Sequence, residues 1–300
     1  MTSHNNDKKA DSAETTATRR DLLAGAAASV LVRAGSGQTD REMTPTERAL
    51  ADSSIAHANC AIPPGPSASD RATINGFLAE PHRKGKRAGV IVIHEIFGVT
   101  DHIKSIACRF AEAGYTAVAP DFFSRKGAPP DAAGGFQPLM EFVNRIPDKQ
   151  VLGDIDSAAA YLNSLSNSSG RIGVAGFCYG GRFAMLSAAE CPLVNAAAAW
   201  YGRIAAGGGD QKMAPLDVVA SMHAPLIGHF GAEDTSIPVA DVGRLRDALK
   251  AAHKSFELYE YAGAGHAFNN DTRPMYRPEA AHLSWERTLH WFARWLRSAA

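Results

Sequence analysis

Residues 171–189 restrict the fold of this chain more than any other stretch. Arg171-Ile172-Gly173-Val174-Ala175 is apolar enough for a buried strand. Gly176-Phe177-Cys178-Tyr179-Gly180-Gly181 follows, and the next eight residues favour a helix by composition. A strand that becomes a helix within G-x-C-x-G has to turn sharply. A Cβ at Gly176 or Gly180 would collide across that turn. Cys178 at its apex is a candidate nucleophile, and the N-terminus of the helix behind it favours thiolate. A buried cysteine in a glycine-rich turn would look the same in this stretch alone. The rest of the chain has to separate the two readings.

Short apolar runs alternate with helical patterns on both sides of the turn. Residues 73–79 have the alternation of an edge strand, and 88–93 form the continuous apolar run of a strand buried on both faces. The latter ends at His94-Glu95-Ile96-Phe97-Gly98. Asp101 is placed to cap a helix over 101–113 that carries Cys108. Residues 116–119 are the next strand, with Pro120-Asp121-Phe122-Phe123-Ser124-Arg125 at its end. A Gly/Pro/Ala loop over 126–136 can overhang a cleft, and 149–165 is helical. Strands over 195–200 and 225–230 deliver Tyr201-Gly202 and Gly231-Ala232-Glu233-Asp234. Pro238 opens a helix to about Ala252, and 255–261 is the last strand, before Gly265-His266-Ala267-Phe268. A final helix over 278–298 carries Leu283, Leu289, Trp291, Phe292, Trp295 and Leu296 as a core stripe. This alternation predicts an α/β fold, a doubly wound, mostly parallel sheet with helices on both faces. Ligands of such sheets bind at the carboxyl ends of strands, where Glu95, Arg125, Cys178, Tyr201, Asp234 and His266 all fall.

The first 34 residues differ in character. Arg19-Arg20 precede an alanine-rich apolar segment over 24–32, the pattern of a twin-arginine export signal. Export implies a periplasmic or extracellular location; without it the chain is cytoplasmic. The apolar run is too short for stable membrane insertion. Residues 35–69, rich in Ala, Ser, Thr and Pro, read as a disordered linker, which leaves 70–300 as the folded domain. The formal net charge is zero with no basic stripe, which argues against a nucleic-acid partner. None of Cys60, Cys108, Cys178 and Cys191 lies in a C-x-x-C pair, so no metal or organic cofactor is expected. The expected partner is a small molecule, and the expected state a monomer or small homo-oligomer.

Cys178, Asp234 and His266 stand after three different strands in the order nucleophile, acid, histidine. A thiolate attacks a carbonyl, an imidazole relays protons, and a buried carboxylate fixes the imidazole tautomer. These residues sit in motifs that resemble the dienelactone hydrolase (carboxymethylenebutenolidase) family of the α/β-hydrolase superfamily. The motifs are H-E-I-F-G from His94, P-D-F-F-S-R from Pro120, the cysteine turn, E-D-T-S-I-P from Glu233 and A-G-H-A-F from Ala264, and the likeness covers about residues 74–296. It implies hydrolysis of a lactone or small ester through a thioester enzyme. It also implies that Glu95 accepts the thiol proton, that the backbone N–H groups of Ile96 and Tyr179 form an oxyanion hole, and that Arg125 holds a substrate carboxylate. Tyr201 and Phe268 are expected at the substrate. The family's second substrate arginine falls at Asn270, which cannot make arginine's bidentate contact, and Arg273 is the nearby candidate to replace it. That departure keeps open a broader carboxylesterase acting on neutral esters. A thiol sensor without turnover on the same scaffold is a third reading.

Overall fold

A computed structural model describes residues 41–205 and 212–296. Its strands are β1 (Ile55–Ile62), β2 (Ile74–Pro81), β3 (Arg87–Ile93), β4 (Thr116–Pro120), β5 (Ser168–Phe177), β6 (Val194–Trp200), β7 (Leu226–Gly231) and β8 (Phe256–Tyr261). They form one sheet in the order β1-β2-β4-β3-β5-β6-β7-β8. β1 and β2 run antiparallel to their neighbours and every other pairing is parallel. β3 is buried along its whole length, as its unbroken apolar run requires.

The helices are α1 (Pro45–Ala51), α2 (Asp101–Glu112), α3 (Phe136–Asn144), α4 (Asp148–Ser164), α5 (Tyr179–Glu190), α6 (Val239–Ala251) and α7 (Pro278–Trp295). From β3 the chain crosses through α2 to β4 on one side, then returns through α4 to β5 on the other. Right-handed crossovers therefore place α2 on one face and α4, α5 and α6 on the opposite one. α7 joins α2: the Phe110 ring lies 4.5 Å from Trp285 and 5.7 Å from Phe292, centroid to centroid. Within the stripe expected on α7, Trp291 and Phe292 are buried, whereas Leu283 faces outward at 40% exposure. The reversal of direction at β3 opens a crevice between the ends of β3 and β5, and Glu95 and Cys178 lie at those two ends.

Several expectations need correction. Part of the stretch read as a disordered linker is ordered. Thr44 caps α1 in a reciprocal box with Glu47, its hydroxyl accepting from the Glu47 N–H at 3.2 Å while Glu47 accepts from the Thr44 N–H at 2.8 Å. β1 pairs along its whole length with β2, so it is β1 rather than residues 73–79 that forms this sheet edge. The N-cap of α2 is Thr100, with Asp101 one residue inside the helix. α3 stands where the sequence suggested only the end of a loop. The segment read as an export signal lies outside the described residues. No helix among the described residues is long and apolar enough to cross a membrane.

Candidate active site

The turn between β5 and α5 is built from close backbone approaches. A Cβ on Gly176 would run into the Gly180 carbonyl. One on Gly180 would lie 2.8 Å from the His94 carbonyl oxygen and nearer still to that of Ile93. Cys178 between them takes φ 55° and ψ −111°, a region costly for a residue with a side chain. The neighbours hold it there: the Cys178 N–H donates to the Trp200 carbonyl at 3.0 Å, and the Cys178 carbonyl accepts from the Arg182 N–H at 3.2 Å. The half-buried thiol lines a cavity of about 350 Å³ together with His266, Ile96, Tyr179 and Tyr201.

His266 reaches the cavity from the loop after β8, and Asp234 stands behind it on the loop after β7. The two pair at 2.7 Å, His266 Nδ1 to Asp234 Oδ2. The buried Asp234 also accepts from the backbone N–H groups of Ser236 at 2.8 Å and Ile237 at 3.2 Å, which fix its orientation. Burial pulls the His266 pKa down, but hydrogen bonds to Asp234 and Cys178, and the negative charge on both, outweigh it and push the imidazole up to about 10. The imidazole thus pairs with a buried carboxylate and shares the cavity lining with the thiol.

Glu95 is buried beside them, and its Oε2 accepts from the Asn270 side-chain amide at 2.9 Å. Asn270 in turn accepts from the Thr272 N–H at 3.1 Å and hydroxyl at 2.7 Å. His94 steadies the loop from beneath. Its Nδ1 lies 2.6 Å from the Glu95 carbonyl, and its Nε2 accepts from the Phe122 N–H at 3.3 Å. That assigns the proton to Nδ1, in keeping with burial lowering the ring's pKa. Ile96 and Tyr179 both line the cavity, and the Tyr179 N–H, first in α5, has no partner within the helix. Tyr201 sits at φ 39°, fully buried, with its ring 5.1 Å from His266. Burial, and the negative charges of Glu95, Cys178 and Asp234, hold its phenol well above the ordinary range.

Three expected substrate residues are placed elsewhere. Arg125 does not line the cavity; its guanidinium binds Asp154 at 2.8 and 2.9 Å and Asp70 at 2.7 and 2.8 Å. Arg273 lies over the Phe97 ring at 4.4 Å and also stays out of the lining. Phe268 is buried behind Tyr201, 5.3 Å between ring centroids, and acts as packing. Three cations line the cavity instead: Arg182, Arg203 and Lys212. Arg203 follows Tyr201-Gly202 at the end of β6, so the strand-end rule that singled out Tyr201 reaches it as well. α3 adds Phe136, Met140, Val143 and Asn144 to the wall. Among the described residues no cluster of three or more His, Cys, Asp or Glu is arranged to hold a metal ion.

The model of the dienelactone hydrolase family matches residues 74–296. A Methylorubrum extorquens protein named "Putative carboxymethylenebutenolidase" is 39% identical over 227 residues, 74% of this chain and 77% of that one. A Bradyrhizobium protein named "Probable 2-oxo-3-(5-oxofuran-2-ylidene)propanoate lactonase" is 34% identical over 222 residues, 73% of this chain and 88% of that one. Among solved structures, a Klebsiella pneumoniae protein described as "Putative Dienelactone Hydrolase" superposes with a TM-score of 0.73 at 36% identity, over 80% of this chain and 99% of that one.

Proposed function

The chain belongs to the dienelactone hydrolase family, and from that premise we propose that Cys178 is the nucleophile with which this carboxylic ester hydrolase opens its lactone or ester. The observation that carries the reading is the meeting of Cys178 with His266 at one cavity, with Asp234 holding the imidazole at 2.7 Å.

Sulfur adds to the carbonyl carbon, and the carbonyl oxygen takes up negative charge between the N–H groups of Ile96 and Tyr179. The tetrahedral adduct collapses as the C–O bond breaks, and imidazolium at His266 gives its proton to the departing alkoxide. A thioester at Cys178 remains; from a lactone the alcohol stays on the same molecule. Acylation removes the charge and hydrogen bond of the sulfur, two of the causes that keep His266 protonated. The imidazole, left neutral by its proton transfer to the alkoxide, takes a proton from water and directs the oxygen to the thioester carbon. The C–S bond breaks, the acid leaves, and the thiolate–imidazolium pair is restored. Asp234 holds one tautomer throughout.

Glu95 has a different part in this scheme from the one the family resemblance implied. Its Oε2 accepts from the Asn270 amide, and Glu95 does not line the cavity that holds the Cys178 thiol, whereas His266 does. His266 takes the thiol proton, and Glu95 with Asn270 fixes the loop that presents the Ile96 N–H. The engagement of Arg125 by two carboxylates takes that residue out of substrate binding in this reading. The test of the main reading is Cys178→Ala, assayed on lactones and aryl esters with circular dichroism as the check on folding. Turnover is expected to fall to background in a folded protein; full activity would overturn it.

A further inference from the structure

We infer that Arg203 selects the substrate by pairing with a carboxylate carried by the ester or lactone. This rests on the cavity being the hydrolytic site, and it moves anion recognition from the loop after β4 to the loop after β6. The backbone fixes where Arg203 stands. The Tyr201 N–H donates to the His229 carbonyl at 2.8 Å, and Tyr201 takes φ 39°. Gly202 then packs directly on the backbone of Gly181 and Arg182, so close that a Cβ there would strike the Gly181 carbonyl. The chain leaving β6 is thereby pressed against the first turn of α5, and Arg203 emerges in the cavity lining that also holds Cys178.

The charges around it are unequal. Arg182 is spent on Asp148 and the Met213 carbonyl. Lys212 donates to the Ile146 carbonyl at 2.7 Å, with Asp148 at 3.5 Å. Arg203, exposed at the rim, has no hydrogen bond or ion pair with any described residue. Among the described residues no aspartate or glutamate stands in the lining. A concave site lined by one sign of charge raises the local concentration of the opposite ion. The planar fork of arginine fits a carboxylate through two parallel hydrogen bonds.

The experiment uses the full chain, as wild type, Arg203→Gln, Arg203→Lys and Arg125→Gln. Two esters of matched shape are compared: 4-nitrophenyl hemisuccinate, which carries a free carboxylate, and methyl 4-nitrophenyl succinate, which does not. The readout is the ratio of kcat/KM for the anionic ester to that for the neutral one. Loss of a charge-assisted pair should lower that ratio about tenfold in Arg203→Gln. Partial recovery is expected in Arg203→Lys and no selective change in Arg125→Gln. A ratio in Arg203→Gln equal to the wild-type ratio would overturn the assignment, as would a selective fall in Arg125→Gln alone. Calorimetry with benzylsuccinate, which carries no ester, gives a readout free of turnover. Its Kd should rise about tenfold in Arg203→Gln. Binding that depends on Arg203 in a protein hydrolysing neither ester would leave the anion site standing and the hydrolase reading fallen. Hydrolysis of both esters without dependence on Arg203 would do the reverse.

Discussion

Asn270 changes what Glu95 can do. A cation at that position could leave the carboxylate to meet an incoming anion, whereas a side-chain amide held by Thr272 has no such exchange to make. Asn270→Ala would strand a buried carboxylate, at a cost of about 1–3 kcal/mol. We expect a lower melting temperature and a lower kcat, read by calorimetry and steady-state kinetics. His266 offers a second check at this scale. NMR titration of its ring should give a midpoint near 10, and Asp234→Asn should move it towards the ordinary histidine value. A folded-state pKa raised in this way adds stability that is fully present below about 6.5 and lost as pH rises through about 10. The advantage of wild type over His266→Asn in urea midpoint should therefore shrink across that window. The order of Cys178, Asp234 and His266 was legible in the sequence because each follows a strand. The fate of Arg125 was not. It depends on Asp154 in α4 and on Asp70 ahead of β2, and pairing across that distance leaves no local pattern.

Among the elements, the β5–α5 turn tolerates least change. Gly180→Ala puts a methyl group against the carbonyls of Ile93 and His94, both backbone atoms of the central strand region. We expect a loss above about 4 kcal/mol or failure to fold, measured by urea denaturation. α1 and β1 show why an ordered segment escaped notice. The capping box Thr44-x-x-Glu47 was visible in the sequence, but β1 is exposed over most of its length and carries no strong apolar period. Long-range bonds hold the segment down. The Asp271 carboxylate accepts from the Thr46 N–H at 2.7 Å and hydroxyl at 2.6 Å, and lies 3.2 Å from His102 Nδ1. Burial opposes ionisation of Asp271, yet His102 and Thr46 outweigh it and hold the carboxyl well below the usual range. Its contribution to stability is present above the ordinary aspartate pKa and is lost as pH falls through the lowered one. Asp271→Asn should lower the melting temperature at neutral pH, and its deficit against wild type should shrink as pH falls below the ordinary aspartate value, which a melting series across pH would record.

At the scale of the whole molecule, export and thiol chemistry can coexist. Burial pushes the Cys108 thiol up to about 12 and raises that of Cys191 further, so both are poor partners for disulfide exchange. We propose that Arg19-Arg20 direct the folded chain out of the cytoplasm. Replacing the pair by lysines should leave the protein in the cytoplasmic fraction, and unchanged fractionation would count against the signal. The fold class was legible from the alternation of strands and helices. The cavity walls were less so, because α3 and Lys212 reach the site only through tertiary packing. The most direct test of the central claim is acid-quench peptide mapping by mass spectrometry during turnover of a slow ester. The acyl mass is expected on the peptide bearing Cys178. Steady turnover with an unmodified Cys178 peptide at every quench time, and the same rate in Cys178→Ala, would contradict it.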